Sequence, residues 1–234
     1  MLVAAAVCPH PPLIVPEVAG EAAPELDGLR EACVSAVRSL AATRPDALIT
    51  VGGAGAGATR SYGPDAAGSL APWGADVRVG DGTPVLPLSL TLGRWLLDRA
   101  GAGLPASHEA VASDAPPEAC ARLGETLAGR GERVALLVMG DGSARLTVKS
   151  PGYLHPDAAA YDEALARALA GVDVRALAAL DPGEAAELWV AGRAAFQVLA
   201  GAAGGDAVPG LAGELLYDEA PYGVGYLVAR WLPR

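Results

Sequence analysis

A chain of 234 residues in which 52% of side chains are hydrophobic has enough apolar material for one core of ordinary domain size. Its 27 acidic residues outnumber 17 basic ones, leaving a formal net charge of −10, and no basic run offsets it. A surface of that sign repels nucleic-acid phosphates and anionic membranes, so neither is an expected partner. No uncharged apolar run reaches the ~18–20 residues that a membrane span needs.

The three cysteines, Cys8, Cys33 and Cys120, are odd in number and far apart, with no C-x-x-C pair. They read as reduced, buried thiols, and the expected location is the cytoplasm. The first sixteen residues carry no Asp, Glu, Lys or Arg, but they lack a basic start and are interrupted by His10 and several prolines. They read as a strand and loop, not as a signal sequence.

In chain order, Leu2–Val7 is a continuous apolar run, the pattern of a strand buried on both faces. Pro9–Pro16 can only be loop. Pro24–Ala42 repeats apolar residues at Leu29, Ala32, Cys33, Ala36, Val37 and Leu40, the spacing of one helix face. Ala47–Val51 is a second strand, and Gly52–Gly74 a long loop of Gly, Ala, Ser and Pro. Asp76–Val79 and Pro84–Leu88 are expected as short strands about an Asp81-Gly82 turn. Leu90–Ala100 reads as a helix and Gly101–Ala115, which holds His108, as irregular chain. Helices opened by proline follow at Pro116–Arg130, Pro156–Ala170 and Pro182–Ala200, with a strand at Val134–Met139. Glu214–Tyr217 and Gly225–Trp231 close the chain as a strand pair. The alternation of strands and helices, without a linker, predicts a single α/β domain over residues 1–234, with a central, mostly parallel (mixed) sheet flanked by helices.

Chemistry-bearing residues are few. His10 lies between prolines at a strand end, either as a metal ligand or base or as a loop histidine bonded to backbone. Asp141 and Ser143 follow the strand Val134–Met139, either as polar anchors of a cleft or as turn caps. His155, in Ser150-Pro-Gly-Tyr153-Leu-His155-Pro156, comes soon after that turn and precedes a helix. Gly53, Gly55 and Ala58 fit a G-x-G-x-x-A pattern, but Tyr62-Gly63-Pro64 would break the helix that a dinucleotide site requires. No G-x-S-x-G elbow supports Ser61 or Ser143 as a nucleophile. Tyr217, Asp218, Glu219, Tyr222 and Tyr226 form a polar-aromatic cluster that lines a pocket or packs a sheet edge.

Three stretches carry a family resemblance. Met139-Gly-Asp141-Gly-Ser143-Ala144-Arg-Leu146 follows an apolar strand; Leu2–Val7 runs into Cys8-Pro9-His10-Pro11-Pro12; and Ala47–Val51 ends in Gly52-Gly53. Together they resemble the class III extradiol ring-cleavage dioxygenases of the LigB-like superfamily, over most of the chain. The resemblance implies a LigB-like α/β fold, with His10 at an Fe(II)-binding position. It places Gly53 where a second metal histidine stands, and Ala144 where a proton-shuttling histidine follows the serine. Asp218 and Glu219 are the nearest candidates for a third ligand.

The expectation is therefore a divergent extradiol-dioxygenase-like protein, derived from oxidoreductases that cleave aromatic diols, without ordinary ring cleavage and with Fe(II) weakly bound or absent. The alternative is a non-catalytic member of the same fold that binds a small ligand or a protein. The expected catalytic positions are His10, Asp141 and Ser143, with His10 also the metal position. Gly53, Tyr153, His155, Glu219 and Tyr222 are expected around a ligand. The expected partners are a small aromatic molecule and, at most, a second copy of the chain as a homodimer.

Overall fold

The computed structural model describes residues 1–204 and 210–234. Its strands are β1 (Leu2–Cys8), β2 (Ala47–Ala54), β3 (Arg60–Tyr62), β4 (Gly68–Ser69), β5 (Arg78–Val79), β6 (Ser107–Ala112), β7 (Val134–Met139), β8 (Leu211–Glu219) and β9 (Tyr226–Pro233). Its helices are α1 (Pro16–Ala19), α2 (Asp27–Ala42), α3 (Leu88–Ala100), α4 (Pro117–Ala128), α5 (Ala158–Gly171), α6 (Val174–Ala178), α7 (Pro182–Glu187) and α8 (Arg193–Ala202).

Seven strands form one sheet in the order β3-β6-β2-β7-β1-β9-β8. The central four, β6, β2, β7 and β1, are mutually parallel, whereas β3 and β9 pair antiparallel with the strands beside them and β8 pairs antiparallel with β9. This is the mixed, mostly parallel α/β sheet expected from the alternation of elements.

Both faces are covered, which explains why the central strands read as unbroken apolar runs. Ala5 and Val7 of β1, with Leu136 and Val138 of β7, face a core built with α4, α5 and α8. The alternate residues Ala4, Ala6 and Cys8, with Leu137 and Met139, face a core built with α2 and α3. A one-residue slip of any of these strands would exchange the two cores, so the register is fixed by side-chain size on each face. All three cysteines are free and buried.

Several local expectations change. Gly101–Ala115 is not irregular: it contains β6, buried along its whole length. Its sequence Ser107-His-Glu-Ala-Val-Ala112 hides the strand because polar side chains are carried inside, where all but the His108 Nε2 find partners. His108 Nδ1 meets Thr50 Oγ1, and Glu109 pairs with Arg130 and accepts from Ser107 and Ser61. The long loop after Val51 is shorter than expected, since β2 runs on to Ala54, and β3 and β4 follow. No helix follows Gly53, so the dinucleotide pattern has no structural counterpart. Pro84–Leu88 is not a strand; β5 pairs with β4, and Pro84 makes one bridge to Ala67. The single helix expected over Pro182–Ala200 is two, α7 and α8, broken at Trp189, whose φ is +56°. The short α6, capped by Asp173 accepting from the Ala176 N–H, has no apolar period long enough to announce it.

Helix α8 sits unusually close to α4. A Cβ on Gly124 would overlap the Val198 carbonyl oxygen and the Ala202 nitrogen, and one on Gly201 would overlap the Ala121 backbone. These glycines let two helix backbones touch, and the contact fixes where the first residues of α8 meet the sheet ends. Alanine is the better helix former by about 1 kcal/mol, but overpacking against backbone costs about 1–3 kcal/mol. Gly124→Ala is therefore expected to lower the melting temperature. Gly171→Ala, at the end of α5 with open space around it, is expected to hold or raise it. Thermal melts of the two variants measure the contrast.

Candidate functional site

β1 and β7 lie side by side with Cys8 opposite Met139, so both strands end together. The Gly140 N–H donates to the Cys8 carbonyl at 2.9 Å and carries the ladder one residue further. Beyond that bond the chains part, and His10 and Asp141 face each other. The His10 backbone N–H donates to Asp141 Oδ1 at 2.7 Å, and His10 Nδ1 lies 3.5 Å from the same oxygen. His10 is only 8% exposed, and its Nδ1 has no hydrogen-bond partner. A buried imidazole nitrogen without a partner is an exception, since buried polar atoms are normally hydrogen-bonded.

Gly53 is the penultimate residue of the neighbouring β2, one position beyond Gly52, which stands opposite Met139. Its carbonyl accepts from Ser89 Oγ at 2.7 Å. A Cβ built on Gly53 would lie 2.9 Å from the Ala191 carbonyl oxygen. The space that a histidine side chain would use is thus occupied by the backbone leading into α8. His10 and Asp141 supply two donors at this end of the sheet. Among the described residues no group of three His, Cys, Asp or Glu side chains is placed to hold a metal. The residues present do not fit a centre of two histidines and a carboxylate.

Ser143 turns away from His10. It is fully buried, its Oγ donates to the Leu188 carbonyl at 2.7 Å and accepts from the Arg145 N–H at 3.1 Å, and its own N–H donates to Asp162 Oδ1 at 2.8 Å. This serine pins the loop after β7 to the end of α7. Its hydroxyl proton and one of its acceptor positions are thus engaged inside the protein.

The other expected ligand residues are dispersed. Tyr153 is 72% exposed, in a left-handed backbone conformation with φ +57°. His155 binds outward, with Nε2 3.2 Å from Glu187 Oε1 and Nδ1 accepting from the Asp157 N–H. Glu219 accepts from the Tyr217 hydroxyl at the end of β8, and the Tyr222 hydroxyl donates to Glu25 at 2.9 Å. These groups hold loops and the edge hairpin together; of the expected catalytic residues, His10 and Asp141 are the two whose side chains meet, at the carboxyl ends of β1 and β7. Tyr226 is buried, and burial together with the Asp141 charge pushes its phenol above the ordinary range.

Sequence reading missed Asp162, which lies on α5 and is 7% exposed. It looks there like one more polar position of an amphipathic helix. Its Oδ2 is buried without a partner, and Cβ atoms on Gly142 or Gly225 would collide with its carboxyl. Burial, then the charges of Asp218 and Asp141, push its pKa up to about 7, against the opposing effect of the Ser143 N–H.

The direction for stability follows. The folded state holds the Asp162 proton more tightly than the unfolded chain. Its contribution is complete below the ordinary aspartate range and is lost as pH rises through about 7. Between pH 5 and 8 the protein is expected to lose roughly 2–3 kcal/mol of stability that Asp162→Asn does not lose. Urea unfolding of both proteins across that range checks it, and parallel profiles would remove the assignment.

No protein-family model matches the chain, and no curated protein matches it. The fold is similar to that in a crystal structure of an uncharacterized protein, JW3007, from Escherichia coli K12, with a TM-score of 0.55. The match covers 98% of this chain and 99% of that one at 18% sequence identity. At that identity the likeness establishes the architecture: a single-domain α/β fold with a mostly parallel, mixed central sheet flanked by helices.

Proposed function

We propose that this protein is a divergent relative of the LigB-like extradiol dioxygenases that binds a small, hydroxyl-bearing aromatic molecule at the His10–Asp141 pair without iron-dependent ring cleavage. The observation that carries the reading is the pair itself, a buried and unpartnered His10 Nδ1 held 3.5 Å from Asp141 at the carboxyl ends of adjacent parallel strands. Ligands of open α/β sheets bind beyond those ends. The Ala191 carbonyl against Gly53 supports the second half of the reading, since no side chain fits the position of the second ligand.

In this reading Asp141 is the positioning residue: it binds the His10 backbone N–H and holds the imidazole beside its own charge. His10 accepts a phenolic proton, and the resulting imidazolium is stabilised by the carboxylate. The step is a proton transfer within a complex, with no bond to carbon made or broken.

Catechol is the probe. It is expected to shift the His10 ring signals in a histidine NMR spectrum saturably, and His10→Ala and Asp141→Asn are each expected to weaken binding about tenfold, the loss of one charge-assisted contact. After anaerobic incubation with Fe(II) and desalting, metal analysis is expected to return well below one iron per chain. One iron per chain, lost on His10→Ala, together with oxygen-dependent consumption of catechol, would overturn the proposal in favour of a working dioxygenase. His10→Ala is expected to keep the fold, because the residue lies outside the two main cores. Leu29→Ala, fully buried in α2, is expected to cost about 2–5 kcal/mol. Thermal melts compare them.

A further inference from the structure

Trp189 stands in an unfavourable place for its residue type. It follows the last turn of α7, where its N–H donates to the Ala186 carbonyl and the Val190 N–H donates to the Ala185 carbonyl at 2.8 Å. That is the left-handed ending of a helix, a position that glycine fills without strain and a bulky side chain fills at a cost. The φ of Trp189 is +56°, and the residue is 55% exposed. Neither core requires it. The backbone here accepts strain and presents an aromatic surface.

The indole borders a cavity of about 590 Å³, within the usual range for small-molecule sites. One wall is apolar, formed by Pro182, Ala185, Ala186, Val190 and Ala191. The opposing polar groups are Ser113 and Asp114, just past the carboxyl end of β6. Asp114 is oriented by the Gly57 N–H, which donates to its Oδ1 at 2.8 Å, and it makes no ion pair among the described residues. Arg193 also borders the cavity, but it is 3% exposed and its guanidinium donates to the Ser113 and Ala115 carbonyls and to Gln197. It braces the segment that carries Asp114. The charge left to a ligand is negative.

We infer that this cavity is a binding site for a planar aromatic cation, with its ring stacked on Trp189 and its amine or amidine group on Asp114. None of His10, Gly53, Asp141 and Ser143 lines it, so the site stands whether or not the His10–Asp141 pair binds catechol. Aromatic stacking and cation–π attraction to indole both favour such a ligand, and a neutral or anionic ring lacks the second contact.

Benzamidine is the probe, with benzoate as the anion of the same shape. The protein is labelled with 5-fluorotryptophan, and fluorine NMR reads its four tryptophans, Trp73, Trp95, Trp189 and Trp231. Benzamidine is expected to shift the Trp189 signal saturably and leave the other three in place, and benzoate to shift none. Calorimetry is expected to show binding weakened about tenfold by Asp114→Asn. It is expected to be lost in Trp189→Gly, which relieves the strained φ and melts at the same or a higher temperature. Equal binding of benzoate, unchanged binding by Trp189→Gly, or a Trp189 signal that responds to protein dilution and not to benzamidine would overturn the inference; the last result would mark a contact between copies of the chain.

Discussion

The turn that leaves β7 has to satisfy its backbone hydrogen bonds against four neighbours at once, and the carboxyl end of the sheet is arranged around that requirement. Gly140 donates to Cys8, Gly142 donates to Gly225, the Asp141 carbonyl accepts from Gly192, and the Ser143 carbonyl accepts from Gly225. The Ser143 N–H ends on Asp162. Buried backbone groups without partners are expensive, so four separate segments are drawn against one turn. They approach so closely that a Cβ on Gly140 would lie 2.7 Å from the Gly192 Cα, and one on Gly142 would lie 2.6 Å from Asp162 Oδ2. Glycine at these places is a demand of close approach.

The same crowding decides what the candidate site can be. Gly192 is bound to Asp141, which sets Ala191 against Gly53 and removes the room for a side chain at the end of β2. Gly124 and Gly201 seat α8 against α4 from behind, so the segment entering α8 cannot easily retreat. This end of the sheet is therefore crowded by backbone, with the His10 imidazole and the Asp141 carboxylate beside each other. Ser143, which a reading of the turn alone would make a reactive hydroxyl, is spent on closing the turn against α7.

The layered fold was legible in the sequence because its evidence is periodic and local. Leu2–Val7 and Val134–Met139 are apolar at every position, and α2 repeats its apolar face from Leu29 to Leu40, about three turns. Where polar side chains are carried inside, the pattern fails: β6 takes Ser107, His108 and Glu109 into the interior, where Thr50, Arg130 and Ser61 meet them and the His108 Nε2 stays without a partner among the described residues. The break between α7 and α8 was illegible for a different reason. Neither Gly nor Pro marks Trp189, so the strained turn has no signal in composition. At the site, His10 and Asp141 could be singled out because each follows an apolar strand-like run, and the strand ends of α/β folds are where ligands bind. Asp162 could not, since its burial depends on glycines from two distant loops.

The placement of arginine links the crowded backbone to the electrostatics. Arg145 donates to the Gly152 and Glu187 carbonyls, Arg193 to the Ser113 and Ala115 carbonyls, Arg30 to the Ile14 and Ala23 carbonyls, and Arg94 to the Pro64 carbonyl. Each guanidinium closes a loop end by satisfying carbonyls that no regular element takes up, a task suited to a planar group with five donors. Cations used in this way are withdrawn from the surface. Among the acidic residues Asp141, Asp162 and Glu109 are used internally and most of the others stay at the surface, so a chain with a formal charge of −10 shows solvent an acidic face. A ligand reaching the carboxyl end of the sheet meets Asp141 and Asp114 at its edges, and approaches more readily as a neutral or positively charged molecule than as an anion.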